Sequence, residues 1–510
     1  MKKLSKYLFF IFFPCILFLI LSWEPSLNAA TGTYYLDSKT GSDLNAGTSP
    51  VEAWKSLEKL NTISFKPGDK IFLKSGSRFE GHLAPKGSGT KREPIILQSY
   101  GKDEKPLLEG KGHEPETLLL YNVEYWEVKD LEITNLGKER EPYRAGVRVK
   151  LENFGTAHHI HLKNLTVRDV NGSLVKKEGG GTGITCDNSG DRRKSRFDGL
   201  HIEDCYLFRT DRDGIAIRSS HKTRDEGWFP NLNVVIRNNL LEDIGGDGIV
   251  PRGCDGALVE YNVLRGGRTR CDDYAAGIWP HSSDNTVIQF NEVSGMVGTK
   301  DGQGFDSDYN CTNTLIQYNY SHDNEGGFML ICNSGTGLPD NIGNQGTVIR
   351  YNISQNDGHR IFYITGPVKD VQIYNNTIYT GPDLDIEALW PGGGNNGYAE
   401  NVLFANNVFY VDGRVTYHYG GLDVLYSNNA FHGKQLNAPD DANAYRAEHQ
   451  LKGVGTGFSG FGSLEGYKLK PGSPLISAGK SINDKGERDF WGNRLKEDKA
   501  ASIGAHSGRE

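Results

Sequence analysis

Residues 286–295 read TVIQFNEVSG, and residues 314–323 read TLIQYNYSHD. In both, apolar and polar side chains alternate up to an Asn, and a second apolar stretch follows. A period of two is the signature of a strand. The same pattern stands at 234–243 (VVIRNNLLED), 257–266 (ALVEYNVLRG), 347–356 (TVIRYNISQN), 371–380 (VQIYNNTIYT) and 402–411 (VLFANNVFYV). The recurrent residues are Asn239, Asn262, Asn291, Asn319, Asn352, Asn376 and Asn407, at separations of 23, 29, 28, 33, 24 and 31. Irregular but bounded periods fit coils of a β-solenoid whose loops vary in length. The Asn is expected in a turn, where it tolerates left-handed backbone and bonds to its counterparts in the coils above and below. These Asn residues therefore read as structural.

Each unit carries a further strand, often announced by Gly: DGIAIR (213–218), DGIVPR (247–252), AGIWPH (276–281), QGFDSD (303–308), GGFMLI (326–331) and HRIFYI (359–364). Aligning Ile215, Ile249, Ile278, Phe305, Phe328 and Ile361 gives one inward ladder. Neighbours on a strand face opposite ways. One outward column then reads Ala216, Val250, Trp279, Asp306, Met329, Phe362, and the next Arg218, Arg252, His281, Asp308, Ile331, Ile364.

The fold class is thus all-β: one right-handed parallel β-helix over residues 31–510. Trp54, Leu57 and Leu60, at helical spacing after Ser49-Pro50, predict a short helix in an N-terminal cap of about residues 31–65. Terminal coils otherwise expose core and strand edges. Residues from about 460 to 510, poor in strands, are expected to cap or strap the other end. Residues 1–30 join a basic start (Lys2, Lys3) to an apolar run and small residues at Asn28-Ala29-Ala30, which reads as a signal peptide and predicts a secreted or periplasmic protein with no membrane span after cleavage.

Charge is mildly acidic, 57 Lys plus Arg against 64 Asp plus Glu, net -7. That argues against a nucleic-acid partner, which calls for a basic patch. A monomer acting on a carbohydrate polymer or oligosaccharide is expected. The six cysteines of the mature chain contain no C-x-x-C, so they suggest no zinc site; disulfides and a buried thiol stack remain equal alternatives.

The opening YYLDSKTGSDLNAGTSP (34–50) with PGDKIFLKSG (67–76) resembles the N-terminal signature of secreted carbohydrate-active right-handed β-helix proteins. SPLISAGK (473–480), DFWGNRL (489–495) and SIGAH (502–506) are similar to their C-terminal strap. DGQGFDSDYN (301–310) with YNYSHDNEGGFML (318–330) looks like a subgroup signature among bacterial members. The resemblance implies the pectate-lyase-like superfold, which serves both glycoside hydrolases and polysaccharide lyases; fold alone does not settle the chemistry.

A solenoid strand has no structural need for Asp on both sides of Ser307. Asp306 and Asp308 are expected on one face with α-carbons ~6.6 Å apart. Two such carboxylates repel, raising one pKa, and an acid beside an ionised carboxylate is what glycoside hydrolysis uses. Candidate catalytic residues are Asp306, Asp308, Asp247, His281 and Glu325. Asp247 lies two coils away, ~9.6 Å. Candidate substrate contacts are Trp279, a flat face for a sugar; Arg252 and Arg218, forks for carboxylate or sulfate; and His359 and Arg360. The expected function is glycosidic cleavage in a groove by carboxylate acid/base catalysis, with no cofactor. Two alternatives stand beside it. One is a polysaccharide lyase acting on a uronic-acid polymer with Asp306 and Asp308 holding calcium. The other is a non-catalytic glycan-binding surface protein.

Overall fold

The structure, a computed structural model, describes residues 31–224, 227–333, 341–392, 397–418, 420–448, 450–495 and 500–508. The N-terminal segment read as a signal peptide lies outside them. The chain winds as a right-handed parallel β-helix with three walls. One coil shows the plan: Val287–Gln289 on the first wall, Glu292–Met296 on the second and Gln303–Ser307 on the third. Each strand pairs in parallel with its counterpart one coil on: Val287 with Leu315, Glu292 with Tyr320, Gln303 with Gly327.

The Asn ladder forms at the corner between the first two walls. In each rung one side-chain oxygen accepts both the amide N–H and the Nδ2 of the Asn one coil earlier. Asn291 accepts from Asn262 at 2.9 and 3.0 Å, and Asn319 accepts from Asn291 at 2.9 and 3.0 Å. The ladder continues past the repeats read from sequence to Asn429, and Asp441 Oδ2 ends it by accepting from Asn429 N at 2.8 Å. The ladder Asn is not the left-handed residue, as expected from its type. The residue before it is: Tyr261, Phe290, Tyr318 and Tyr351 have φ between 51° and 57°. Such backbone costs roughly 1–2 kcal/mol in a non-Gly residue. The aromatic rings offset this by stacking coil on coil, with centroids 4.9 Å apart for Tyr261–Phe290 and 5.0 Å for Phe290–Tyr318.

The inward ladder of the third wall holds through Ile215, Ile249, Ile278 and Phe305. It then departs from the expected register by one residue: Phe305 pairs with Met329, and Met329 with Phe362. The run FMLIC is apolar throughout, so it offers no alternation to read. The shift is already present at the first pair, Gln303 with Gly327, and Gly327, at φ 129°, stands where a Cβ would lie 1.7 Å from the Arg360 carbonyl oxygen. The outward neighbours of Asp306 are therefore Leu330 and Tyr363, not Met329 and Phe362. Those of Asp308 are Cys332 and Thr365, not Ile331 and Ile364.

At the N-terminal end, the helix is Leu57–Asn61, N-capped by Ser56 Oγ, and its Leu57 and Leu60 are buried. Trp54 is not part of it; it bridges to Leu36 and donates its indole N–H to the Asn45 carbonyl at 2.9 Å. The tail does more than close the far end: it runs back along the outside of the coils. Gly460 N reaches Glu292 at 2.9 Å, Tyr467 Oη reaches Gln355 at 2.6 Å, and the Arg488 carbonyl accepts from Tyr318 Oη at 3.0 Å. Among the described residues all six cysteines are free thiols, and all are buried. The thiol alternative is the one the structure shows.

Candidate active site

Alternation on Gln303–Ser307 turns Phe305 and Ser307 into the core, where Ser307 Oγ sits 3.0 Å from Thr347 Oγ1. Asp306 and the following Asp308 face the other way. They share a cavity of about 650 Å³ with Asp301, Lys176, Arg252, Trp279, His281, Tyr309, Arg360 and Tyr363. Adjacent coils supply these groups: Arg252 bridges to His281, and Asp308 N donates to the Pro280 carbonyl at 3.3 Å.

The three carboxyl groups differ in exposure. Asp306 is 3% exposed, and its Oδ1 has no hydrogen-bond partner. Burial, then the charges of Asp308 and Asp301, hold its pKa well above the ordinary carboxylate range. Asp308 and Asp301 are half-buried and border the open space. Burial pushes Asp308 up to about 7, against the Tyr309 N–H that it accepts at 2.7 Å and the charges of Lys176 and Arg252. Burial pushes Asp301 up to about 6, with Lys176 and Arg360 opposing. His281 is buried with Nδ1 2.9 Å from Ser282 Oγ, and burial followed by the charge of Arg252 keeps its ring neutral.

Asp247 does not line the cavity, contrary to the sequence reading. It is 2% exposed. Its Oδ1 accepts from Trp279 Nε1 and Ala276 N, both at 3.0 Å, and its Oδ2 faces Lys176 Nζ at 3.2 Å and Arg212 Nη2 at 3.5 Å. With both oxygens occupied, Asp247 positions Trp279 and Lys176. Trp279 does line the cavity but is no open platform: Lys176 Nζ lies 4.9 Å from its ring centre, and Val250 and Ala276 pack against it. Glu325 is exposed, accepts from Gly298 N at 2.5 Å and borders a different hollow with Asp323 and Asp383. His359 is exposed and lies outside the cavity lining. Arg218 lies in the adjoining cleft, bound to Asp213 at 2.6 Å and Thr185 at 3.0 Å. Arg360 does line the cavity, its guanidinium 3.8 Å from the Tyr363 ring centre.

Sequence reasoning missed Lys176, Tyr309 and Tyr363. Lys176 comes from the loop between the strands Thr166–Val170 and Thr182–Ser189. Asp273, in the 268–276 insertion, accepts from Lys176 N at 2.8 Å and from Arg212 Nη1 at 2.6 Å, so the two insertions pin each other over the groove. Tyr363 was hidden by the one-residue register error. A metal-ligand geometry occurs elsewhere among the described residues: Glu127, His159 and His161 have ligand atoms within 4.8 Å of one another, on the first wall.

Raised carboxyl pKa values make the folded state hold protons that the unfolded chain releases. This stability is complete below about pH 4, the unfolded Asp range, and is lost as pH rises through about 6 and 7, the folded values of Asp301 and Asp308. The melting temperature is therefore expected to fall from about pH 5 to about pH 8, and Asp306→Asn to flatten that fall. Thermal scans across this window check it; an Asp306→Asn profile parallel to the parent's would contradict the assignment.

Residues 182–342 match the family model described as a right-handed β-helix region. Over 93% of its length the chain is 30% identical to a lacto-N-biosidase from Bifidobacterium longum subsp. longum, and it spans 36% of that protein. A crystal structure of a GH136 lacto-N-biosidase from Eubacterium ramulus superposes with a TM-score of 0.61 and 28% identity, over 77% of this chain and 68% of that one. The structure of XylC with xylose superposes with a TM-score of 0.51 at 12% identity, over 93% of this chain and 98% of that one, which is a likeness of fold.

Proposed function

We propose that the protein is an exported glycoside hydrolase. The observation that carries this is the wall of three carboxyl groups with raised proton affinity in one cavity of substrate size. The working pair must touch the sugar and titrate near the working pH. Asp308 and Asp301 meet both conditions, and Asp306 is the buried third. Both are raised toward neutrality, so one can hold a proton while the other is ionised; in this reading Asp308 carries the proton and Asp301 the charge. Asp308 then protonates the leaving oxygen. Asp301, with Lys176 and Arg360 steadying its charge, faces the oxocarbenium-like centre or the water that attacks it. Lys176, Arg252 and Arg360 supply the positive charge in the cavity, so the proposed reaction uses no metal ion.

The names of the relatives supply the substrate we propose, a glycoside of lacto-N-biose. Purified chain without residues 1–30 should release nitrophenol from p-nitrophenyl lacto-N-bioside, with an optimum between about pH 6 and about pH 7. A panel of polysaccharides followed in parallel for reducing ends and ultraviolet absorbance tests the class. New reducing ends without absorbance support a hydrolase; an absorbing unsaturated product would mean a lyase.

A further inference from the structure

Moving from Asp308 toward the N-terminal coils, the same outward column runs His281, Arg252, Arg218, Asp187, Lys150, Tyr121. The last four of these with Arg252 lie in a second cleft, of about 840 Å³, that shares Lys176 and Arg252 with the acid cavity. The two adjoin there.

The charge of this cleft is unbalanced. Six Lys or Arg side chains line it against three carboxylates, and of the six, Lys176 and Arg218 are held from behind by Asp247 and Asp213. Those three are already engaged: Arg148 pairs with Glu116 at 2.9 Å and with Asp187, and Lys150 pairs with Glu152 at 3.2 Å. Arg218 has Asp213 beneath it. Arg252, one coil on, makes no ion pair among the described residues, and its buried Nε has no hydrogen-bond partner. Asp308, whose charge it feels, is two coils away, ~9.6 Å along the stack. An arginine fork keeps its charge when buried and matches carboxylate or sulfate in two parallel bonds. Tyr121 and Tyr143, 44% and 62% exposed, border the cleft as flat walls suited to sugar rings.

We propose that this second cleft is a subsite for an acidic sugar, bearing a carboxylate or a sulfate ester, within a longer glycan whose scissile bond lies at Asp301 and Asp308. Arg252 and Arg218 hold the anion. This rests on the glycosidase reading and adds to it that charged glycans are preferred to their neutral parents.

The test uses the whole chain carrying Asp308→Asn, so that no ligand is consumed, on a glycan array presenting the same backbones in neutral, sialylated, uronylated and sulfated form. Titration calorimetry at low salt then compares the strongest acidic ligand with its neutral parent. The acidic form should bind about tenfold tighter, equivalent to one decade in Kd. That ratio should fall to within about twofold in Arg218→Gln and in Arg252→Gln, with unchanged thermal melts as the control for folding. The carboxylate and sulfate arms tell which anion is meant. An array in which no acidic glycan exceeds its parent overturns the proposal, as does a ratio that survives both substitutions. Binding is read without turnover, so these outcomes stand apart from failure of the hydrolase reading, which only the cleavage assay reports.

Discussion

Asp308→Asn and Asp301→Asn should each lower kcat/KM by about 10³-fold or more, within the range general acid–base groups supply, while keeping a cooperative melt whose midpoint at neutral pH is no lower than the parent's. Both carboxyls border the open cavity, and each has its pKa raised toward neutrality. An amide at 308 cannot protonate a leaving oxygen, and an amide at 301 cannot meet a positive centre with charge. Asp306→Asn is expected to behave differently. Asp306 is 3% exposed, and burial, then the charges of Asp308 and Asp301, hold its own proton on. Its loss should cost about 10-fold to 100-fold, less than the loss of the acid or the base themselves. Rates across pH for the three variants decide between these roles. If Asp306→Asn proves as inactive as Asp308→Asn, the pair is Asp306 with Asp308 and Asp301 is the supporting group.

The largest expected effect on stability is at the Asn ladder. Asn291 accepts two bonds from Asn262 and donates to the Val259 carbonyl at 2.9 Å and to Asn319 at 3.0 Å, all of them buried. Asn291→Ala removes four bonds worth roughly 0.5–1.5 kcal/mol each, so a loss of about 2–6 kcal/mol is expected. The Asn262 amide would be left buried without an acceptor. Guanidinium unfolding monitored by circular dichroism reads the loss. Val297→Ala, at an exposed position of the same coil with ordinary backbone, should shift stability by no more than about 0.5 kcal/mol. Equal effects from the two would show that the ladder carries no special weight.

The solenoid was legible because its determinants are local and repeated. A strand alternates with period two, and each coil restates the same Asn after the same V-x-I pattern, so errors in one coil are corrected by the next. The ladder's ending was not legible in this way: Asn429 and Asp441 lie where the repeat pattern thins. The facing of Asp306 and Asp308 was legible for the same local reason. The left-handed position was misplaced by one residue: it precedes the ladder Asn and is filled by Tyr or Phe in the middle coils and by Asn at 238, 375, 406 and 428.

The sequence by itself determined the winding of the chain and the wall on which Asp306 and Asp308 stand, since both follow from alternation along a single strand. Tertiary structure decided what meets them. Lys176 arrives from an insertion pinned by Asp273, Asp247 withdraws behind Trp279, and Tyr363 takes its place through the coil-to-coil register. Loop paths and coil-to-coil register depend on contacts between residues far apart in the chain, and no local pattern encodes them.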